Sequence, residues 1–277
     1  MTLFSRELVF CSLGSGSSGN CTYIGDGHAG VLVDAGVGPR NLRDRLAEFG
    51  LHDAPIDAVL VTHEHGDHVG SAAALDRAFR TAGRDVPFYM TPGTRAGTEA
   101  RSPKCLPEAW HEVAPGQVFR VKHLDIDPFR VPHDTGDPVA YRVTIGGTSV
   151  AVVTDLGKPT KTVIDQLRKC TIAALEFNHD EDMLMDGPYP WPLKQRVRGD
   201  RGHLSNRQGA ELLSAGLSDS LQHLVLAHLS EHNNTERHAR SAAGAVLDTA
   251  GVNGKIQLHV AVQRAAIAPL RVKSVSW

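Results

Sequence analysis

The sequence predicts an α/β protein in which two β-sheets pack face to face with helices outside, and three observations carry that prediction. Short runs rich in Val, Ile and Leu, bounded by Gly, Ser, Asn or Asp, recur from one end of the chain to the other. Segments with apolar residues at helical spacing separate them in both halves. No repeat, low-complexity tract or linker interrupts the 277 residues, so the chain reads as one domain over 1–277. With 41% apolar and 22% charged residues it can bury a large core.

Residues 7–13, 21–24 and 30–34 read as strands of a meander. In NLRDRLAEFG, Leu42, Leu46 and Phe49 recur at helical spacing and Gly50 stops the helix; a buried strand follows at 57–62. SAAALDRAFRTAG predicts the next helix, and 86–90, 119–131, 139–145 and 149–154 the next strands, with one half giving way to the other near residue 135. The second half continues as a helix over 160–168, a strand over 171–177, a helix after Ser205, a strand over 223–227, a helix over 235–249 and a strand over 256–260. Ser205 and Gln208 form an S-x-x-Q capping box that fixes one helix start. DGPYPWPLKQRVRGDRG is too broken by Pro and Gly for a core element and reads as a functional loop. RAAIAPLRVKSVSW fits a terminal strand or an arm equally well.

The formal charge of -2 excludes a globally basic coat, so any nucleic-acid site must come from a local cluster. No run approaches the roughly 20 apolar residues of a membrane span, and MTLFSRELVFCSLGSG lacks the apolar region of a secretion leader. The expectation is a soluble, cytoplasmic protein with no membrane partner. Cys11, Cys21, Cys105 and Cys170 form no C-x-x-C pair and read as small buried residues rather than a disulfide framework.

Gly14, Gly16 and Gly19 satisfy G-x-G-x-x-G, and Asp34 follows at dinucleotide-binding distance. That fold needs a helix opening at the third glycine, yet Gly25, Gly27, Gly30 and the strand-like CTYI leave no room for one. A turn of small residues is the better reading, with the hydroxyls of Ser15, Ser17 and Ser18 and nearby Asn20 available to a site or to substrate.

The strongest signal is His63-Glu64-His65-Gly66-Asp67-His68, directly after the apolar AVLVT. His63 and His65, two apart in extended chain, point the same way, and the next residues turn back toward them. Three histidines and an aspartate in six residues are too polar for a strand end without a ligand. His133, Asp155 and His228 each follow a further β-run, so four strand ends can bring their side chains to one sheet edge.

HEHGDH stands here as the H-x-H-x-D-H motif of the metallo-β-lactamase superfamily, and VDAG supplies its early aspartate, Asp34; the chain resembles that family over nearly its whole length. The resemblance implies an αββα four-layer sandwich with metals at one sheet edge. It also divides the ligands: His63, His65 and His133 on one ion, Asp67, His68 and His228 on the other, and Asp155 bridging. The ions expected are divalent, Zn²⁺ or Mn²⁺ with Fe also accommodated. At about 3.5–4 Å apart they would clamp a hydroxide between them, so the implied chemistry is hydrolysis. No cysteine sits at a ligand position, unlike the pattern expected of a true β-lactamase.

Segments 13–24, 175–180, 189–206 and 228–234 resemble the bacterial YycJ (WalJ) branch of the superfamily. That resemblance implies a phosphodiesterase acting on DNA, with 5′-to-3′ exonuclease activity. Lys194 and Arg196, with Arg198, Arg201 and Arg207, form a local positive stretch suited to phosphate. His203 resembles a catalytic-loop histidine that protonates the leaving group, and Asp67 could relay a proton as well as bind metal. His179 is expected to contact substrate or orient a ligand, itself oriented by Glu176. Trp191, with Tyr189 as its only aromatic neighbour, reads as a loop anchor more readily than as a stacking face. Two rivals remain: a small-molecule hydrolase of lactone, thioester or cyclic phosphodiester, and a metal-binding scaffold without catalysis.

Overall fold

Strand side chains alternate between faces, and here both faces of most strands are apolar, which demands cover on two sides. The structure, a computed structural model, describes residues 7–273. The first six and last four residues, on which parts of the leader and tail readings fall, lie outside the described residues. In chain order the strands are β1 (Glu7–Gly14), β2 (Cys21–Gly25), β3 (Gly30–Val33), β4 (Ala58–Leu60), β5 (Phe88–Met90), β6 (Trp110–Glu112), β7 (Phe119–Val121), β8 (Leu124–Arg130), β9 (Val139–Ile145), β10 (Thr148–Val153), β11 (Ile172–Glu176), β12 (His223–Ala227), β13 (Gln257–Val260) and β14 (Leu270–Lys273). They form two seven-stranded sheets, ordered β14-β1-β2-β3-β4-β5-β6 and β13-β12-β11-β10-β9-β8-β7.

Each sheet begins as an antiparallel meander and continues in parallel. β1, β2 and β3 pair antiparallel and β4, β5 and β6 extend them in parallel. β7 to β10 repeat the meander, and β11, β12 and β13 repeat the parallel extension. Parallel neighbours need crossovers, and helices supply many of them: α1 (Pro39–Glu48), α2 (Gly66–Val69), α3 (Ala72–Thr81) and α4 (Pro92–Arg101) in the first half. The second half carries α5 (Lys161–Leu167), α6 (Glu181–Asp186), α7 (Trp191–Val197), α8 (Asn206–Gly216) and α9 (Glu236–Thr249).

Three apolar clusters define four layers. Phe10, Val31, Val33 and Leu60 meet Ile126, Tyr141, Val150 and Ile172 between the sheets. The alternate residues Val9, Leu32 and Val59 face Leu42, Leu46, Leu75 and Phe79 of α1 and α3. Ala151, Val153, Leu224 and Leu226 likewise face Val163, Leu212, Ala243 and Leu247 of α5, α8 and α9. At the edge that bears the polar cluster, the Tyr141 hydroxyl donates to the Val61 carbonyl (3.1 Å) and Val139 N–H to Thr62 O (3.1 Å), tying the two sheets together.

Several expectations are corrected. The chain crosses between sheets after β6, ahead of residue 135, and β14 returns to the first sheet beside β1. The strand expected over 119–131 is a hairpin of β7 and β8, broken where Lys122 takes φ 52°. The segment read as an irregular loop contains α7, whose start is pre-organised by Pro192. The glycine fingerprint opens no helix: Gly16 (φ 118°) and Gly19 (φ 131°) turn the chain into β2. The capping box at Ser205 and Gln208 forms in both directions.

Candidate metal centre

The parallel strands of both sheets deliver their carboxyl ends to one edge, where α/β proteins commonly place their sites. Asp34 follows β3, the HEHGDH segment follows β4, His133 follows β8, Asp155 follows β10 and His228 follows β12. Ligand-type atoms of His63, His65 and His133 lie within 4.8 Å of one another, as do those of Asp67, His68 and His228. Asp155 reaches toward both groups: Oδ2 is 3.1 Å from His68 Nε2, while Oδ1 is 3.6 Å from His228 Nε2 and 3.9 Å from His133 Nε2.

The surrounding bonds determine which ring nitrogen each histidine presents. The Thr62 hydroxyl donates to Asp34 Oδ1 (2.9 Å), so it accepts from His63 Nδ1 (3.0 Å) and leaves Nε2 bare. His68 Nδ1 donates to Asp34 Oδ2 (2.8 Å), His133 Nδ1 to Gly202 O (3.0 Å) and His228 Nδ1 to Glu176 Oε1 (3.1 Å). His65 is reversed: its Nδ1 lies 3.1 Å from His63 Nε2 and 3.2 Å from His133 Nε2, and its Nε2 faces Asp134. Five ring nitrogens thus converge, with outer partners holding the rings, and each offers a lone pair when its ring is neutral.

Charge divides the cluster in two. Burial and neighbouring histidines hold His63 well below the ordinary imidazole value, and burial also lowers His65 and His133, so these three are neutral donors. Burial opposes charge at His228 as well, but Asp155, Asp67 and Glu176 outweigh it and raise it to about 10. His68 is likewise driven up by Asp155, Asp34 and Asp67. Against the burial penalty, His68 and His228 depress Asp67, and the same histidines depress Asp155. Asp155 Oδ2 is buried, and its near polar contact is His68 Nε2 at 3.1 Å. Neutral imidazoles beside buried carboxylates fit divalent metal ions, which would stabilise the negative charge the two protonated rings now balance.

Backbone close approaches hold these ligand-type residues in place. Asn20 N–H donates to Asp67 O (2.7 Å) and Gly36 N–H to Asn20 O (2.9 Å). A Cβ on Gly36 would sit 1.8 Å from the Asp67 carbonyl oxygen, so only glycine fits there. Asn20 is buried, and its Nδ2 lies 3.1 Å from Asp67 Oδ2 and 2.9 Å from His68 Nε2, a bracing geometry. Ser17 is exposed; Ser15 is the serine at the cluster, accepting from His228 N–H (2.8 Å).

Glu176 turns away from the role expected of it: it orients His203 and His228, not His179. Its Oε1 lies 2.8 Å from His203 Nδ1, and Oε2 accepts from the N–H groups of Leu156 (3.1 Å) and Leu204 (3.2 Å). Burial raises its pKa, but those histidines bring it down to about 2. His203 stacks on His228, with ring centroids 5.2 Å apart. His179 is buried and neutral, lowered to about 4 by burial, and its Nδ1 has no hydrogen-bond partner.

The basic stretch is largely engaged. Arg196 grips Asp134 with Nε (2.6 Å) and a second nitrogen (3.1 Å), and Asp134 lies 3.5 Å from His133 Nε2. Arg201 donates to His133 O (3.0 Å), Lys194 to Met185 O (2.5 Å), and Arg207 pairs with Glu181 and Glu211. Asp134 and Glu64 escaped the sequence reading. Glu64 sits between two histidines yet points the other way, accepting from Gly136 N–H (2.9 Å) and so holding the His133 loop. Alternation along HEH is the signal that placed it opposite its neighbours.

Residues 30–229 match the β-lactamase superfamily domain, and the chain belongs to that superfamily. Within it, the chain belongs with the YycJ/WalJ proteins. It is 30% identical over 254 residues to "Exodeoxyribonuclease YycJ" of Bacillus anthracis, covering 91% of this chain and 94% of that one. It is 34% identical over 229 residues to "Exodeoxyribonuclease WalJ" of Streptococcus pneumoniae, covering 82% and 83%. The fold matches the metallo-β-lactamase fold protein YhfI of Bacillus subtilis at a TM-score of 0.71 and 17% identity, over 95% and 99% of the two chains. No helix among the described residues is long and apolar enough to cross a membrane.

Proposed function

We propose that the protein is a binuclear metal-dependent phosphodiesterase acting on DNA as a 5′-to-3′ exonuclease. The observation that carries the reading is the pair of three-residue groups joined by Asp155. The substrate class is supported by the exodeoxyribonuclease relatives. His63, His65 and His133 would hold one ion and Asp67, His68 and His228 the other, Zn²⁺ or Mn²⁺, with Asp155 between them. When bound, the ions supply Lewis acidity at a phosphate and an activated water.

The protein's own groups orient the substrate and move its protons. Glu176 engages His203 Nδ1 and would stabilise the doubly protonated ring, in which Nε2 carries the proton given to the leaving oxygen, returning the ring to its neutral Nδ1–H form. Arg196 uses two of its five donors on Asp134. Half-exposed at the rim, it has the rest for a phosphate oxygen, with Lys194 two residues earlier on α7 as a further positive charge on another face of the helix. Asp67, partly exposed beside His68 and His228, is the carboxylate placed to receive a proton from the attacking water.

Digestion of 5′- and 3′-end-labelled DNA with Mn²⁺ or Zn²⁺ at low salt tests the proposal. Metal-dependent shortening from the 5′ end that disappears in a folded Asp67→Ala protein is expected. Intact DNA under both metals, or cleavage retained by that variant, would refute it.

A further inference from the structure

Beside the cluster, α6, the residue that ends α7 and the start of α8 enclose a cleft of about 400 Å³, lined by His179, Leu184, Met185, Arg198, Ser205 and Arg207 among others. Its connection to the cluster runs through two short paths. Ser205 lies two residues beyond His203, and His203 N–H donates to Val197 O (2.8 Å) at the end of α7. Arg196 of that helix reaches the rim of the cluster through Asp134. Trp191, Lys194 and Arg198, at i, i+3 and i+7, share another face of the helix.

The cleft's chemistry is that of a flat ring rather than a phosphate. Arg198 lies over the Trp191 ring (5.8 Å to the centroid), and its guanidinium meets Met185 Sδ (3.8 Å). Met185 and Trp191, 38% and 53% exposed, are two of the four exposed large apolar side chains among the described residues. Their meeting around one guanidinium makes an apolar, π-bearing platform. Arg207 is taken up by Glu181 and Glu211, and Glu181 and Asp182 also line the cleft, so its positive charge is offset. Its floor carries His179, 1% exposed, with Nδ1 buried and unpartnered.

We infer that this cleft seats an unpaired nucleobase of the bound strand, stacked against Met185 and the Arg198 guanidinium plane that Trp191 backs, with its polar edge toward His179. The inference rests on the nuclease reading and adds to it a requirement that one base near the scissile phosphate be out of the duplex stack. Base stacking on aromatic and guanidinium planes is how strands are held without sequence preference.

The test is anisotropy of a fluorescent, phosphorothioate-protected single strand with the metal-loaded protein, using Trp191→Ala and Arg198→Ala, both exposed positions where folding is checked by circular dichroism. A single abasic residue is moved along the strand in parallel. Trp191→Ala, which removes the ring that holds the Arg198 plane, is expected to weaken binding roughly five- to hundredfold, the range of one lost stacking contact. An abasic residue at one position should weaken the wild-type protein equally and the variant no further. Wild-type affinity in Trp191→Ala, or no abasic position that matters, overturns the base seat, even if Arg198→Ala alone weakens binding through charge. In that case continued digestion of end-labelled DNA leaves the nuclease reading standing; a protein that neither binds nor digests any strand overturns both.

Discussion

Replacing Glu176 by glutamine keeps the shape of the side chain and changes only its hydrogen-bonding capacity, which makes it a sharp probe of the cluster. Four donors converge on this buried carboxylate: the Nδ1 groups of His203 and His228 on one oxygen, and the N–H groups of Leu156 and Leu204 on the other. A glutamine amide offers one acceptor and one NH₂, so one pair of donors must face another donor. If NH₂ turns to the backbone, two buried N–H groups lose their acceptor, together about 2–6 kcal/mol at roughly 1–3 kcal/mol each. If it turns to the imidazoles, their Nδ1 atoms must accept, which confines the neutral His228 ring's proton to Nε2 and blocks the lone pair a metal would need beside Asp67 and Asp155. Metal affinity at the Asp67, His68 and His228 group should then fall about 10- to 100-fold, the usual cost of losing a ligand's outer partner. Urea unfolding measures the first outcome, and competition with a chromophoric chelator the second. A variant within about 0.5 kcal/mol of wild type that binds two metals with unchanged affinity would show that Glu176 does not set the tautomers.

Further outcomes follow from the same geometry. Gly36→Ala puts a methyl 1.8 Å from the Asp67 carbonyl oxygen, so the HEHGDH loop must shift; a loss of at least about 1–3 kcal/mol in thermal unfolding is expected, with lowered metal content. Asp155→Ala should leave fewer than two ions per chain by elemental analysis and abolish cleavage, since Asp155 is the carboxylate within reach of both groups. Asp26 lies far from the cluster, and although burial raises its pKa, the N–H groups of Ala29 and His28 and the His123 imidazole lower it below the ordinary 3.8. A depressed folded-state value stabilises above the unfolded value and is lost as pH falls through the folded one. Asp26→Asn should therefore be less stable than wild type in urea at pH 7, with the gap closing below pH 4; a gap independent of pH would contradict the assignment.

The sheets and most helices were legible because their signals are local. Apolar alternation, glycine turns and the Ser205 capping box each sit within a few residues of what they specify. HEHGDH was legible for the same reason, since three histidines and an aspartate in six residues have no apolar explanation. What escaped depends on distant partners. Glu176 is one acidic residue at a strand end, and nothing in LEFNHD tells that its neighbours are Leu156, Leu204, His203 and His228 rather than His179. Asp134 carries no motif, and only folding brings Arg196 onto it across 62 residues. Arg198 and Arg207 look alike as members of one basic stretch in sequence, yet Arg207 is ion-paired and Arg198 lies over the exposed Trp191 ring. The helix beneath them was hidden by Pro190 and Pro192, which flank its start and read as breakers.

The two sheets reach the centre by the same backbone device, and the contrast between them shows how one frame yields both a supporting group and a binding one. β3 and β10 each end a meander and precede the first parallel neighbour, β4 or β11. Just past them come Asp34 (φ 67°) and Asp155 (φ 61°), in the left-handed region that turns a side chain back over the sheet edge. His228, beyond β12, does the same at φ 56°. Aspartate and histidine tolerate this conformation better than most side chains, and its cost of about 1–2 kcal/mol each is borne by the three apolar clusters. What then differs is the company each carboxylate keeps. Asp34 accepts from Thr62 N–H and hydroxyl at one oxygen and from His68 at the other, so its charge is consumed in fixing a neighbour's tautomer. Asp155 instead meets ring nitrogens that face the centre, with Oδ2 3.1 Å from His68 Nε2 and Oδ1 3.6 Å from His228 Nε2, so its charge is directed into the cluster. Equivalent strand ends thus become an anchor in one sheet and a candidate bridging ligand in the other, because β4 brings a threonine to the first and β12 a histidine to the second.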